Sequence, residues 1–325
     1  MAAHRESACA QRRGVLPADR AGGPPVLTVA ICTHDRAEAL RTALASLAAQ
    51  QGVSEGWELL VVANACTDGT PAVLQEFATL LPLRSIDEPR TGLSQARNRA
   101  LAEARGDTLI FTDDDVELDR AWLGAYVRAE SAFVDAEFFG GRVIARWDER
   151  PPRWFRQESL ALLGGVFVHQ DLGETNRWLE AGDPLPIGAS FGLRRRLWER
   201  LGPFRSDLGV SGKQQGRGEE TEFLTRAVAA GARGVYVGES RCWHPVDPSR
   251  VRFRALLEYG RASGVAHRKI RAAGARGSLS RALLHLVRGL GQIPKGRGDR
   301  FRQCVVNCGI ELGLRDGATG GRPRQ

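Results

Sequence analysis

Thr108-Leu109-Ile110-Phe111-Thr112-Asp113-Asp114-Asp115 decides how this chain is read. Residues 108–111 form a short apolar run of the kind that makes a buried strand. The run ends in three consecutive carboxylates. Alternate side chains of an extended chain share a face, so Asp113 and Asp115 can point to one side. Three like charges in a small volume repel unless a cation sits among them. Hard divalent cations take oxygen ligands, and Mg2+ typically uses one or two carboxylates plus substrate phosphates. A solvated acidic turn is the plainer alternative, and the position of the triplet at a strand end argues against it.

Toward the N-terminus the same strand-then-polar pattern recurs. Val26–Cys32 reads as a strand that ends at Thr33-His34-Asp35. Asp35 with Glu38 is a capping-box signature for a helix carrying Leu40, Leu44 and Leu47 on one face. Trp57–Val62 is a second strand, followed by Asn64-Ala65-Cys66-Thr67-Asp68. Pro71 opens a helix with Val73, Leu74, Phe77 and Leu81 at helical spacing, and Leu83–Ile86 is a third strand. Ser94 is expected to cap a helix through Ala104 that stops at Gly106. Strands alternating with helices predict a parallel sheet covered on both faces. Ligands bind such sheets at the carboxyl ends of the strands, where the three polar clusters fall. No Gly-rich dinucleotide or P-loop motif is present, which excludes an ordinary dinucleotide or ATP site.

Toward the C-terminus, Phe138–Ala145 and Ile187–Leu193 read as strands, with little periodicity over 147–186. Arg194–Leu201 reads as a helix closed by Gly202-Pro203. Gly209–Gly218 holds four glycines and is expected to be mobile. Glu219–Ala230 is an amphipathic helix that opens on two carboxylates. A helix dipole favours acids there in any case, but at the rim of a crevice the pair can also supply a general base. Val235–Val237 is a further strand, followed by Trp243-His244-Pro245. His244 joins the aspartates as a metal ligand only if its strand ends beside them. Trp147, Trp154, Phe155, Trp178 and Trp198 either form a stacking surface for a ligand or pack in the core.

The 325 residues are 42% hydrophobic and 26% charged, as in a soluble globular chain of one large or two modest domains. No apolar run of about 18 residues predicts a membrane span, and the first 25 residues contain no apolar signal core. Six cysteines without zinc-like spacing are expected to be reduced, in the cytoplasm. The net charge of +8 is uneven: residues 241–325 hold 18 Lys/Arg against 5 Asp/Glu, while 1–240 hold 28 against 33. Such a tail suggests an anionic partner. Leu283, Leu284, Leu286, Val287, Leu290 and Ile293, with Arg281 and Arg288 interspersed, form an amphipathic stripe. It fits peripheral contact with the anionic inner face of a cell membrane, or an ordinary packed surface helix.

Six segments, in order, resemble family 2 glycosyltransferases of the inverting, bacterial type, over about residues 27–250. LTVAICTHDRAEALRTALASL (27–47) is similar to the opening strand and helix, and ELLVVANACTDGT (58–70) to the VVDN-x-S-TDGT segment. TGLSQARNRAL (91–101) is close to G-x-x-x-ARN-x-G-[LI], and LIFTDDDVEL (109–118) to the strand entering the DxD motif. GASFGLRRRLWERLGPF (188–204) resembles the acceptor-side segment, and GEETEFLTRAVAAG (218–231) the G-E-D-x-[ED]-[FL] helix. The resemblance implies an α/β GT-A fold: a Rossmann-like, mostly parallel central sheet flanked by helices, with a smaller acceptor-side region and a basic helical tail. It implies a mobile arm over 1–25, a catalytic domain over 26–250 with nucleotide-binding (26–130) and acceptor-binding (131–250) halves, and a C-terminal extension over 251–325.

The implied activity is inverting transfer from a nucleotide-diphosphate sugar, expected to be UDP-linked, to a saccharide or lipid-linked saccharide in polysaccharide or glycolipid biosynthesis. The implied roles follow the motifs. Thr33, Asp35, Asn64 and Asp68 would lie by the base and ribose, and Arg97 and Asn98 by the ribose and diphosphate. Asp113 and Asp115 would hold Mn2+ or Mg2+ on the diphosphate, and Asp113 and Asp114 would also contact the nucleotide sugar. Glu220 would be the general base, with Glu219 beside it. Two positions depart from the pattern: Ala63 stands where the family has an Asp, and Glu220 replaces Asp. A sugar-phosphate nucleotidyltransferase is the alternative enzyme, disfavoured by the missing phosphate loop. A nucleic-acid binder is disfavoured because the positive charge lies outside the motif-bearing crevice, so no nucleic-acid partner is expected.

Overall fold

The computed structural model describes residues 27–53, 56–210, 216–270, 279–293 and 295–316. The expected arm over 1–25 lies outside these residues, as do residues 211–215 of the Gly-rich segment. The first half alternates as anticipated: β1 (Leu27–Thr33), α1 (Ala37–Ala48), β2 (Trp57–Asn64), α2 (Thr70–Phe77), β3 (Leu83–Glu88), α3 (Leu93–Glu103) and β4 (Thr108–Thr112). There follow β5 (Glu117–Leu118), α4 (Trp122–Ala132), β6 (Phe138–Arg146), α5 (Glu158–Phe167), β7 (Arg177–Trp178), β8 (Ser190–Arg194), α6 (Arg195–Leu201), α7 (Glu219–Ala229) and β9 (Gly234–Pro245). A 3-10 turn (Pro248–Val251) leads into α8 (Phe253–Ile270), α9 (Leu279–Leu290) and α10 (Gly298–Asp316).

The sheet order is β3-β2-β1-β4-β8-β6-β9-β5, with β7 also paired to β9. It is parallel through β3-β2-β1-β4. Beyond β4 it is mixed: β8 runs antiparallel to β4 and β6, while β6 and β9 run parallel. Strand alternation fills two cores. Val29, Ile31, Leu59 and Val61 face one side with the leucines of α1, while Ala30, Leu60 and Val62 face the other with α3, α6 and α7. Both faces of the central strands are thus apolar, as covered parallel strands require.

Several local expectations give way to longer-range contacts. Asp35 and Glu38 do not cap α1: Arg36 holds the N-cap position without a side-chain cap. Asp35 sits at a positive φ of 50° and accepts from the Thr67 amide, while Asp68 takes the Ala37 amide at 2.9 Å. A carboxylate from the neighbouring strand end therefore serves the orphan N–H at the start of α1. Ser94 does not cap α3 either: Gly92 holds that position, and the Ser94 hydroxyl donates to the Leu208 carbonyl. The stretch 147–186, read as lacking periodicity, contains α5 and β7. β9 is much longer than Val235–Val237, because β6 pairs with it as far as Arg146–Pro245 after a register shift at Gly141/Arg142.

The five aromatics pack against other side chains and are not among the residues lining the crevice at the strand ends. Trp147, Trp154, Phe155 and Phe167 form an edge-to-face cluster beneath the C-terminal helices. Trp178 lies edge-on to Phe133, and Trp198 is buried under the Arg195 guanidinium. In the tail, α8 crosses α10 at very close range. A Cβ at Gly264 would collide with the Ile310 carbonyl oxygen, and one at Gly313 with that of Arg261. Gly264→Leu is therefore expected to separate the two helices and lower the unfolding free energy by about 1–3 kcal/mol, read as an earlier midpoint in urea.

Candidate active site

The register explains the crevice. β1 pairs with β4 as far as Ile31–Thr112, so Cys32 and Thr33 run out beside Asp113 and Asp114. The Thr33 hydroxyl donates to Asp114 at 2.7 Å. Just past Asp115 the chain forms β5, whose Glu117 pairs with Trp243 on β9. That pairing brings His244 to the aspartates: its Nε2 lies 3.5 Å from an Asp115 oxygen. The ligand atoms of Asp113, Asp115 and His244 all lie within 4.8 Å of one another. The remaining wall comes from Gly218–Thr221 at the start of α7, Ile187–Ala189 before β8, and one face of α8, enclosing about 630 Å3.

Charge is concentrated here. Arg97 is buried beside the stacked Phe111 and Phe191 rings, 5.7 and 5.2 Å from their centroids. Its guanidinium lies 2.6 Å from Glu219, 3.7 Å from Glu220 and 3.9 Å from Asp113. Gly188 makes room for it, since a Cβ there would come within 2.7 Å of the guanidinium. Arg36 spans Asp114 and Asp115 at 2.7 and 2.6 Å.

Burial pushes the Asp114 carboxyl up to about 7 against the pull of Arg36 and Thr33. Burial, then the neighbouring Asp115, raises Asp113. At Asp115 burial is outweighed by His244 and Arg36, which hold its carboxyl below the usual range. Burial and the adjacent Glu220 push Glu219 up to about 7, against Arg97. Desolvation penalises the charged form of each acid and a nearby guanidinium opposes that penalty.

The donor set suits a hard divalent cation. Asp115 Oδ1 is buried and makes no hydrogen bond among the described residues. His244 Nδ1 lies 2.8 Å from the Pro245 carbonyl. If its proton is donated there, the Nε2 lone pair is left facing Asp115, as metal-ligating histidines are commonly held.

The other expected residues divide. Thr33, Asn64, Arg97, Asp113, Asp114, Asp115, Glu219, Glu220 and His244 all line the crevice. Asn64 also shapes the loop before α3. Its side-chain nitrogen donates to the Glu88 and Arg90 carbonyls, and its side-chain oxygen accepts from the Gly92 amide. Asp35, Asp68 and Asn98 are not among the crevice-lining residues. Asp35 and Asp68 hold helix starts and the Thr67 turn. Asn98 clasps Phe204 through the latter's amide and carbonyl. Sequence reasoning missed Arg36, Arg217, Arg250 and Tyr259, which also line the crevice. Arg36 follows the first polar cluster directly and was legible as a charge. Arg217, stacked 3.8 Å over the Tyr259 ring, depends on α8 folding back, which no local pattern announces.

Residues 28–202 match the family described as Glycosyl transferase family 2. The chain is 29% identical to the succinoglycan biosynthesis protein ExoM of Rhizobium meliloti, covering 77% of each chain. It is 24% identical to the glucosyl-dolichyl phosphate glucuronosyltransferase of Haloferax volcanii, covering 71% of this chain and 72% of that one. Among solved structures it resembles the mannosyltransferase PcManGT of Pyrobaculum calidifontis in complex with GDP-Man and Mn2+. That match has TM-score 0.61 and 19% identity, over 91% of this chain and 88% of the other. It also resembles S. aureus TarS 1–349 in complex with UDP, with TM-score 0.52 and 14% identity, over 90% and 92% of the two chains. These likenesses show a GT-A fold, and in this chain the helices α8–α10 follow at its C-terminal side.

The Arg97–Glu219 pair generates two expectations. Arg97→Met leaves Glu219 buried without its cation, and breaking such a pair is expected to cost about 3–5 kcal/mol in urea unfolding. The native state keeps the Glu219 proton up to about 7, whereas the unfolded chain loses it near the ordinary 4.5. The native state thus binds more protons across that window, so this group lowers stability as pH rises from 4.5 to about 7. Glu219→Gln should flatten that decline, measured as urea midpoints at several pH values.

Proposed function

The chain belongs to glycosyl transferase family 2 and is a glycosyltransferase, and we propose that it transfers a sugar with inversion from a nucleoside diphosphate donor, UDP-linked, to a saccharide or lipid-linked saccharide in polysaccharide or glycolipid synthesis. The observation that carries this reading is the convergence of Asp113, Asp115 and His244 with Glu220 in one crevice. The glycan-building names of the relatives and the nucleotide complexes of the structural neighbours support the reaction class. Cys32, Cys66, Cys242, Cys304 and Cys308 are free thiols, which supports a reducing, cytoplasmic setting.

Asp113, Asp115 and His244 would hold Mn2+ or Mg2+. When bound, the cation supplies positive charge to the donor diphosphate as it leaves. The protein's own groups do the rest. Arg97 stays protonated and buried, which fixes Glu219 in its ion pair and commits that carboxylate to structure. Glu220 follows it on the first turn of α7, with a fifth of its side chain exposed. It is the more exposed of the two carboxylates and the one we assign to meet an acceptor hydroxyl. The hydroxyl oxygen attacks the anomeric carbon from the face opposite the leaving group, Glu220 takes its proton, and the anomeric C–O bond breaks with its electron pair leaving on the diphosphate. One displacement inverts the centre. Glu220 acts as general base, and no second carboxylate is needed as a nucleophile.

Two measurements test the proposal. Asp113→Asn with Asp115→Asn should abolish both transfer and any Mn2+-dependent rise in melting temperature with UDP. GDP, CDP and dTDP serve as the comparison panel, and a larger shift with one of them would reassign the donor. Glu220→Gln should lower the transfer rate about 10²–10⁴-fold while leaving nucleotide affinity unchanged. Retention of full rate would remove Glu220 from the mechanism.

A further inference from the structure

We propose that α9 is a membrane-docking helix that seats the C-terminal helical unit on a bilayer of anionic lipid. The helix packs inward through its smallest residues and the partly buried Leu286. Ala282 and Gly289 are buried, and a Cβ at Gly289 would lie 3.0 Å from the Cys304 Cβ on α10. Its large residues face out: Leu279, Leu283, Leu284, Val287, Leu290 and, just past its end, Ile293 are each 44–62% exposed. At 3.6 residues per turn the five on the helix share an arc of roughly 140°. Arg288 borders that arc, as does Arg281, which is itself ion-paired to Glu311 at 2.9 Å. Lys295, Arg297 and Arg300 lie exposed beyond the helix end. Such a contiguous apolar face on one helix signals a binding surface.

Charge selects the occupant. Residues 241–325 carry 18 basic side chains against 5 acidic ones. A second copy placed face to face would bring like charge against like. An anionic leaflet offers phosphate headgroups to the basic border and an acyl boundary to the apolar arc. With 12 residues, α9 is suited to lie on a bilayer rather than cross it. α8 connects this surface to the crevice: Tyr259, Ser263 and His267 line the cavity, while Gly260 and Gly264 press on α10. Docking would therefore hold one wall of the crevice close to the headgroups. The inference does not depend on the reaction proposed above.

The test is cosedimentation of the full chain with vesicles of phosphatidylcholine alone or mixed equally with phosphatidylglycerol. Partitioning should be about tenfold or more stronger on the anionic vesicles and should weaken as salt shortens the screening length. Leu283→Glu/Val287→Glu/Leu290→Glu should abolish it. As a separate probe, Val287→Trp should shift its fluorescence to the blue on anionic vesicles, a readout that survives if the triple variant fails to fold. Three results would each overturn the proposal: no binding by the native chain, native-like binding by a folded triple variant, or a dimer in sedimentation velocity that the triple substitution dissolves.

Discussion

One guanidinium organises the crevice. Asp113, Asp114, Asp115, Glu219 and Glu220 all line it, and so many carboxylates cannot share so small a volume without compensation. Arg97 enters from α3 and faces three of them from a buried position beside a stacked pair of aromatic rings. It joins α3 to the end of β4 and to the start of α7, and its partner Glu219 lies 122 residues further along the chain. A buried charge with its partner removed is severely penalised, so the pair specifies how α7 meets the sheet. Glu219 is thereby the more deeply buried of the two adjacent glutamates, with 5% of its side chain exposed against 20% for Glu220.

The second constraint is the short pairing of β5 with β9. It involves only Glu117–Trp243 and Leu118–Cys242, yet it carries His244 across the chain to Asp115. The long β9, bulged against β6 at Gly141/Arg142, supplies the reach. The candidate cation site therefore spans both halves of the sheet: two ligands at the end of the parallel half and one from the mixed half. The same route continues through the 3-10 turn into α8, so the strand that completes the site also leads to the helix that walls it.

The tail shows how small residues and large ones divide labour. Gly260, Gly264, Gly309 and Gly313 let α8 and α10 approach until backbone meets backbone. α9 then lies on this pair through Ala282, Gly289 and the partly buried Leu286, leaving Leu279, Leu283, Leu284 and Leu290 exposed. The result is a helical unit that is firmly built on its inner side and apolar on its outer side.

Periodicity and spacing over a few residues specified the alternation of strands and helices, the two-faced burial of β1 and β2, and the polar clusters at strand ends. They also marked Asp113, Asp115 and the Glu219–Glu220 pair, because acids at the end of an apolar strand or after a Gly-rich segment stand out locally. Which partners each polar group meets was decided elsewhere, by the folded sheet. Asp35, Asp68 and Asn98 carry motif letters as the crevice residues do, yet they satisfy backbone groups of neighbouring segments. Ser94 bonds the Leu208 carbonyl instead of capping its own helix. His244 is ambiguous as a letter and becomes a candidate ligand because Glu117 pairs with Trp243, which sets it beside Asp115. The reason for this division is range. Amphipathic patterns act between near neighbours in the chain, whereas hydrogen-bond and ion-pair partners are chosen among groups that meet only once the sheet has formed.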